Sequence, residues 1–335
     1  MRITRETLLN IARDTAAQRT RSDRNILGVY LYGSLLEEEF LLGGTADIDL
    51  VFIHMDTAET SREIVPLTDE VHLDIAHHYE RDYRQARQLR VNPWLGPAIN
   101  ECQALYDPQH FLDFTQAGVR GQFERLDNVY QRALGLADRA RQIWMAFQTH
   151  HETDPGPEQV FDYLRALRHA ANAVASLSGT PITERRFLLN FQKRAEAIGQ
   201  AGMYAGLLGL LGSPNVEPET LNEWLHAWQG AYEAVPADAR PPRLHNGRRF
   251  YYQRALEALL NGPQPKAVLW PMLRTWTLAV KTLPDASPHR IRWRQAFDQL
   301  SLIGAGFDER LRALDAFLDL IDETLENWAR QNGVS

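Results

Sequence analysis

A single cysteine, Cys102, is all the thiol chemistry in 335 residues. One thiol excludes an intramolecular disulfide framework and any Cys-x-x-Cys metal site, in keeping with a reducing compartment. The sequence also lacks an apolar run approaching the roughly 18 residues that a membrane-crossing helix needs. Its first stretch, MRITRETLLNIARDTAAQRTRSDRN, is charged and helical in pattern where a secretory leader would be apolar. A cytoplasmic protein with no membrane partner is expected. An excess of basic charge is missing too: 36 Lys and Arg against 43 Asp and Glu leave a formal net charge of -7. Proteins that grip long nucleic acids draw most of their affinity from Lys and Arg on phosphates, so this balance argues against nucleic acid and favours a small, even cationic, substrate. Local basic clusters (Arg84, Arg87 and Arg90; Arg185, Arg186, Lys193 and Arg194; Arg240, Arg243, Arg248 and Arg249) lie at helical spacing and read as solvated faces. There is no repeat of fixed period and no low-complexity tail.

The composition that is present, 44% hydrophobic and 24% charged, is that of a globular chain long enough for two domains. Residues 4–20 read as a helix capped by Thr4, with Leu8, Leu9, Ile11, Ala12 and Ala16 on one face. Strands are expected at ILGVYLYG (26–33), DIDLVFIH (47–54) and VHLDIAHHY (71–79), then a helix over ERDYRQARQLR, a loop at NPWLGP (92–97) and a short strand or turn near CQALYDP (102–108). Beyond Phe111 the pattern is helical, punctuated by Pro and Gly breaks at HETDPGPE, SGTP, GSPNVEP, VPADARPP, NGPQP and LPDASP. The reading is an α/β domain with a mixed sheet over 1–112, followed by an all-α substrate-binding domain over 113–335.

The chemistry is concentrated in YLYGSLLEEEFLLGGTADIDLVFI, residues 30–53. Strand residues two apart share a face, so Asp47 and Asp49 present carboxylates side by side while Ile48 and Leu50 enter the core. Like charges so placed repel unless a cation lies between them. Magnesium suits the role, being commonly held by one or two carboxylates together with substrate phosphates. Upstream, Gly33 lets a phosphate approach the backbone and Ser34 offers an N–H and a hydroxyl to the same anion. Asp74, on the strand at 71–79, is placed to serve a second metal ion or to accept a proton. Adjacent residues on a strand point oppositely, so His77 and His78 are expected to be one packed and one exposed rather than a joint site. His150 and His151 read as a helix end, the tryptophans as core, and Cys102 as a small apolar residue.

The order of apolar strand, Gly33-Ser34, a gap, Asp47-Ile48-Asp49-Leu50 and a later strand-borne Asp74 resembles the nucleotidyltransferase superfamily that shares its catalytic fold with DNA polymerase beta. The α/β domain followed by helices is similar to the antibiotic nucleotidyltransferases that adenylylate aminoglycosides or lincosamides. The resemblance implies a transferase with two Mg2+ ions and ATP as co-substrate, moving AMP to a hydroxyl of a small-molecule acceptor. It implies Asp47, Asp49 and Asp74 as metal and catalytic residues and Gly33 and Ser34 as phosphate contacts. A looser likeness over 161–187 adds Arg185 or Arg186 as a triphosphate contact. Three departures stand out: twelve residues separate Ser34 from Asp47, Ala46 replaces the usual serine, and Glu37, Glu38 and Glu39 stand where many relatives carry Arg or Lys. The alternatives are transfer to tRNA or protein, as in toxin-like members, a non-catalytic nucleotide-sensing module, and a helical scaffold without turnover.

Overall fold

Three strands buried along most of their length, with alternate residues entering two separate cores, build the first unit. The computed structural model describes residues 3–149 and 154–334. Strands β1 (Ile26–Tyr32), β2 (Ala46–His54), β3 (Arg62–Pro66), β4 (Val71–Tyr79) and β5 (Gln103–Tyr106) form one mixed sheet in the order β3-β4-β2-β1-β5. The central pair, β2 and β4, runs parallel, and the remaining neighbours run antiparallel. Val29, Leu31, Ile48, Leu50, Phe52, Leu73 and Ile75 form the core on one face, where Leu8, Ala12 and Ala16 of helix α1 (Arg5–Ser22) join them. The four-residue spacing of those three gives α1 a single apolar stripe. Thr4 caps the helix by accepting from the Thr7 N–H at 3.2 Å, a contact worth about 1 kcal/mol.

The opposite face is divided along its length. Tyr30, Val51 and Ile53 pack against Tyr83, Leu89, Ile99, Cys102, Leu112 and Val119, drawn from the turn at Glu80–Tyr83 and from helices α2 (Ala86–Val91), α3 (Leu95–Glu101) and α4 (Phe111–Arg120). Burial pushes the Cys102 thiol up to about 12, which leaves it an inert small residue. Past Val51, toward the N-terminal ends of β2 and β4, this face turns polar, and the candidate site lies there.

Two local readings change. NPWLGP begins a helix, α3, because Asn92 Oδ1 accepts from the N–H groups of Trp94 and Leu95 at 2.9 Å each and so serves the start of that turn. The short, charged stretch REIVP proves to be the edge strand β3.

Two compact units divide the chain: Met1–Asn128 with His245–Ala255, and Val129–Leu244 with Leu256–Ser335. Residues 113–128 thus group with the sheet. So does the distant segment 245–255, whose Tyr251 and Arg248 bond to sheet residues. The second unit is helical, with α5 (Leu126–Thr149), α6 (Pro157–Ala175), α7 (Phe187–Ala197), α8 (Gly202–Leu210), α9 (Pro218–Glu233), α10 (Arg249–Leu260), α11 (Leu269–Val280), α12 (Pro288–Gln299) and α13 (Phe307–Gln331), of which α5 and α10 begin in the first unit's segments. Trp228, Trp270, Trp276 and Trp293 are fully buried in its core, and Trp228 and Trp293 donate to Thr275 and Thr277 at 2.8 and 3.2 Å. No helix among the described residues is long and apolar enough to cross a membrane. His150 and His151 lie outside the described residues.

Candidate active site

Register decides what the polar end of the sheet brings together. In the parallel β2–β4 ladder Asp47 is opposite His72 and Asp49 opposite Asp74, so all four side chains leave one face. On the other side of β2, Tyr32 is the partner of Asp49. Asp47, His72 and Asp74 are buried and offer ligand atoms within 4.8 Å of one another, while Asp49 is half-buried. Burial and the nearby Asp49 carboxylate push the Tyr32 hydroxyl far above its ordinary range, so it stays a protonated donor beside the acids.

Gly33 follows β1 with φ +83, where side chains other than glycine are strained. A Cβ there would lie 2.4 Å from Asp49 Oδ2, so a carboxylate fills the place of the missing side chain. Ser34 opens the short turn Ser34–Leu36, and its hydroxyl is buried with no hydrogen-bond partner. A buried polar atom without a partner is uncommon and costly, and it suits a site that a ligand completes. Glu37, Glu38 and Glu39 are exposed, and Arg5 donates to the backbone carbonyls of Glu37 and Glu38.

The acids are not bare. Arg62, on β3, donates twice to Asp74, Nε to Oδ1 at 2.6 Å and Nη2 to Oδ2 at 2.7 Å. Arg248, 5% exposed, ion-pairs with Asp74 Oδ2 through Nη2 and donates from Nε to His72 Nε2 at 3.1 Å. That bond makes His72 a neutral imidazole accepting at Nε2. Tyr251 donates its hydroxyl to Asp47 Oδ2 at 2.6 Å, and its ring meets that of His72 edge-on at 4.8 Å. Counted over these groups alone, the three carboxylates exceed the two guanidiniums by one negative charge, at a place lined by tyrosines.

These donors fit a hard divalent cation. Two carboxylates project side by side from β2, a glycine cradle adjoins one of them, and an orphaned hydroxyl lies next in sequence. Asp74 differs from Asp47 and Asp49, since both of its oxygens accept from guanidinium groups.

Arg185 and Arg186 belong to the second unit, just before α7, with Arg185 buried. Their neighbour Glu184 pairs with Arg243 and, at 3.3 Å, with Arg274. His77 and His78 do point to opposite faces, but neither is exposed: His77 bonds to His54 and Glu63 at 2.8 and 2.7 Å, and His78 to the Tyr83 hydroxyl at 2.5 Å. The expected exposed histidine is covered because the turn after β4 folds Tyr83 back onto it.

Five residues of the site escaped the sequence reading, the first being Tyr32, which meets Asp49 only through the β1–β2 register. His72 carried a usable signal, standing two before Asp74 on one strand and so on its face. Arg62 was hidden because β3 was not recognised. Arg248 and Tyr251 are 174 and 177 positions beyond Asp74, and nothing local marks them.

No family model matches this chain, and no curated protein matches it in sequence. Among solved structures it aligns with a nucleotidyltransferase-like protein from Exiguobacterium sibiricum, at 12% identity over 88% of this chain and 89% of that one, with a TM-score of 0.29. An overlap that low assigns nothing to this chain.

Proposed function

We propose that the first unit is a nucleotidyltransferase that binds a nucleoside triphosphate, ATP by the family resemblance, with magnesium. It transfers the nucleoside monophosphate to a hydroxyl of a small-molecule acceptor in a cytoplasmic setting. In the reaction the acceptor oxygen bonds to the α-phosphorus, the bond from that phosphorus to the β-bridging oxygen breaks, pyrophosphate leaves, and the hydroxyl proton passes to base or solvent. The observation that carries this reading is the Gly33-Ser34 turn, with its orphaned hydroxyl, set against Asp49 on the face that also bears Asp47 and Asp74.

Asp47 and Asp49 would hold the metal, which when bound neutralises phosphate charge. Gly33 and Ser34 receive the phosphate tail, and Tyr32, kept protonated, is available as a hydrogen-bond donor. Arg62, with its side chain 36% exposed, extends positive charge toward the anion while Asp74 fixes its direction.

Incubation with α-labelled ATP, Mg2+ and an aminoglycoside panel tests the reading, with tRNA and total protein as parallel acceptors. The expected result is label on a small molecule with stoichiometric pyrophosphate. Label on tRNA or protein moves the acceptor class. No label on any acceptor, with Mg2+-dependent ATP binding intact, favours a nucleotide-sensing module. The Tyr251 and Arg248 contacts on Asp47 and Asp74 are the observation on that side.

A further inference from the structure

Asp47, His72 and Asp74 form a cluster of three described residues whose ligand atoms lie within 4.8 Å of one another. A guanidinium already serves two of the three. Arg248 reaches Asp74 through Nη2 and His72 through Nε, both in the interior, and Arg62 takes the remaining directions of the Asp74 carboxylate. Guanidinium stays charged at every accessible pH, so these are permanent cations whose presence does not depend on metal concentration.

We infer that Arg248, steadied by Arg62, replaces the second metal ion, so that the site takes one divalent ion, on Asp47 and Asp49, where a symmetric carboxylate cluster would take two. This deepens the nucleotidyltransferase reading and rests on it. Charge supports the count. With one negative charge in excess among the three carboxylates and two guanidiniums, one divalent ion leaves the pocket singly positive, suited to a polyphosphate. A second ion would add two more positive charges within a few ångströms of two fixed guanidiniums, an arrangement that Coulomb repulsion opposes. The donor set agrees. The Nε2 lone pair of His72 is spent on Arg248 Nε–H, so the ring offers that nitrogen to a metal only if Arg248 withdraws. Arg248 is thus a positioning residue and resident counter-ion, and Asp74 is its anchor.

Counting bound Mn2+ by electron paramagnetic resonance, with the metal alone and the full-length protein, tests this without any turnover. The wild type is expected to bind one ion per chain, and Asp49→Asn to lose it. Arg248→Met, which keeps the chain's bulk and removes its charge, is expected to bind a second ion. A conservative Arg248→Lys protein is expected to stay at one ion. Two ions on the wild type would overturn the inference and leave the functional reading standing. No ion on the wild type would overturn both. A count that remains at one in Arg248→Met, with circular dichroism confirming the fold, would also overturn it. The wild-type count needs no variant to fold, so the inference is exposed to refutation even where Arg248→Met does not.

Discussion

The same two strands carry a polar network at each end, and the two networks are built differently. At the C-terminal ends of β2 and β4, His54 bonds to His77, His77 to Glu63, and Glu63 accepts both nitrogens of Arg19 at 2.8 and 2.9 Å. There Glu63 is matched by one guanidinium, and the partly exposed Asp23 lies 3.8 Å from His54 Nδ1, a buried atom with no hydrogen bond of its own. At the N-terminal ends, three carboxylates meet two guanidiniums, and the hydroxyl of Ser34 has no partner. A polar cluster whose acids reach solvent ties elements together. One with buried acids, excess charge and an orphaned hydroxyl is completed by something else. Burial of one residue does not tell the two apart, since His54 and Asp74 are equally hidden; burial of the acids does, since Asp47 and Asp74 are buried while the side chains of Glu63 and Asp23 are 26% and 46% exposed.

Substitutions should separate the ends, beginning with the largest effect. Asp47→Ala at the N-terminal end is expected to lower transfer by about 10³-fold or more, the several kcal/mol that metal-assisted charge stabilisation supplies. His77→Ala at the other end should leave turnover unchanged and cost about 1–3 kcal/mol in urea unfolding, because it leaves His54 and Glu63 short of a partner. If His77→Ala abolished transfer, the division would fail.

Asp74→Ala comes next. It strands the buried Arg248, and breaking such a pair is expected to cost about 3–5 kcal/mol of stability, readable as a fall in the denaturation midpoint. Gly33→Ala places a Cβ against Asp49 Oδ2 at a positive φ; about 1–2 kcal/mol of stability and roughly tenfold in activity are the expected losses. A Gly33→Ala protein as active as wild type would mean that the turn does not seat the phosphate.

The smallest effect is the pH dependence of the network at the C-terminal ends. Burial and the neighbouring His77 hold His54 below its ordinary value of 6.5. The unfolded chain therefore takes up this proton first, and stability falls as the pH drops below about 6.5. Glu63 is raised by burial, but hydrogen bonds from Arg19 and His77 outweigh this and hold it below 4.5. Its contribution is present above that value and is lost as the pH falls through its folded-state value. Urea midpoints measured from pH 8 down to about pH 2 should show both losses on acidification, and His54→Gln should flatten the upper one.

Much of this was legible in the residues. Strands β1, β2 and β4 announce themselves through β-branched and aromatic runs, and α1 through its four-residue stripe. Asp47 and Asp49 share a face by the strand period alone. The sequence does not carry register, and register is what set Asp49 beside Asp74 and His72 beside Asp47. Nor does it carry the return of the chain at 245–255. NGRRFYYQRA looks like a basic, aromatic surface helix, yet its Arg248 and Tyr251 are turned into the sheet. Charge runs are usually solvated, and this one departs from the rule because the buried Asp74 demands a counter-ion.

Calorimetric titration with ATP, with and without Mg2+, is the most direct test that the N-terminal end of the sheet is the nucleotide site. The account predicts saturable, Mg2+-dependent binding that is lost in Asp49→Asn and kept in His77→Ala. Binding that ignores Mg2+, or that survives Asp49→Asn unchanged, would contradict it.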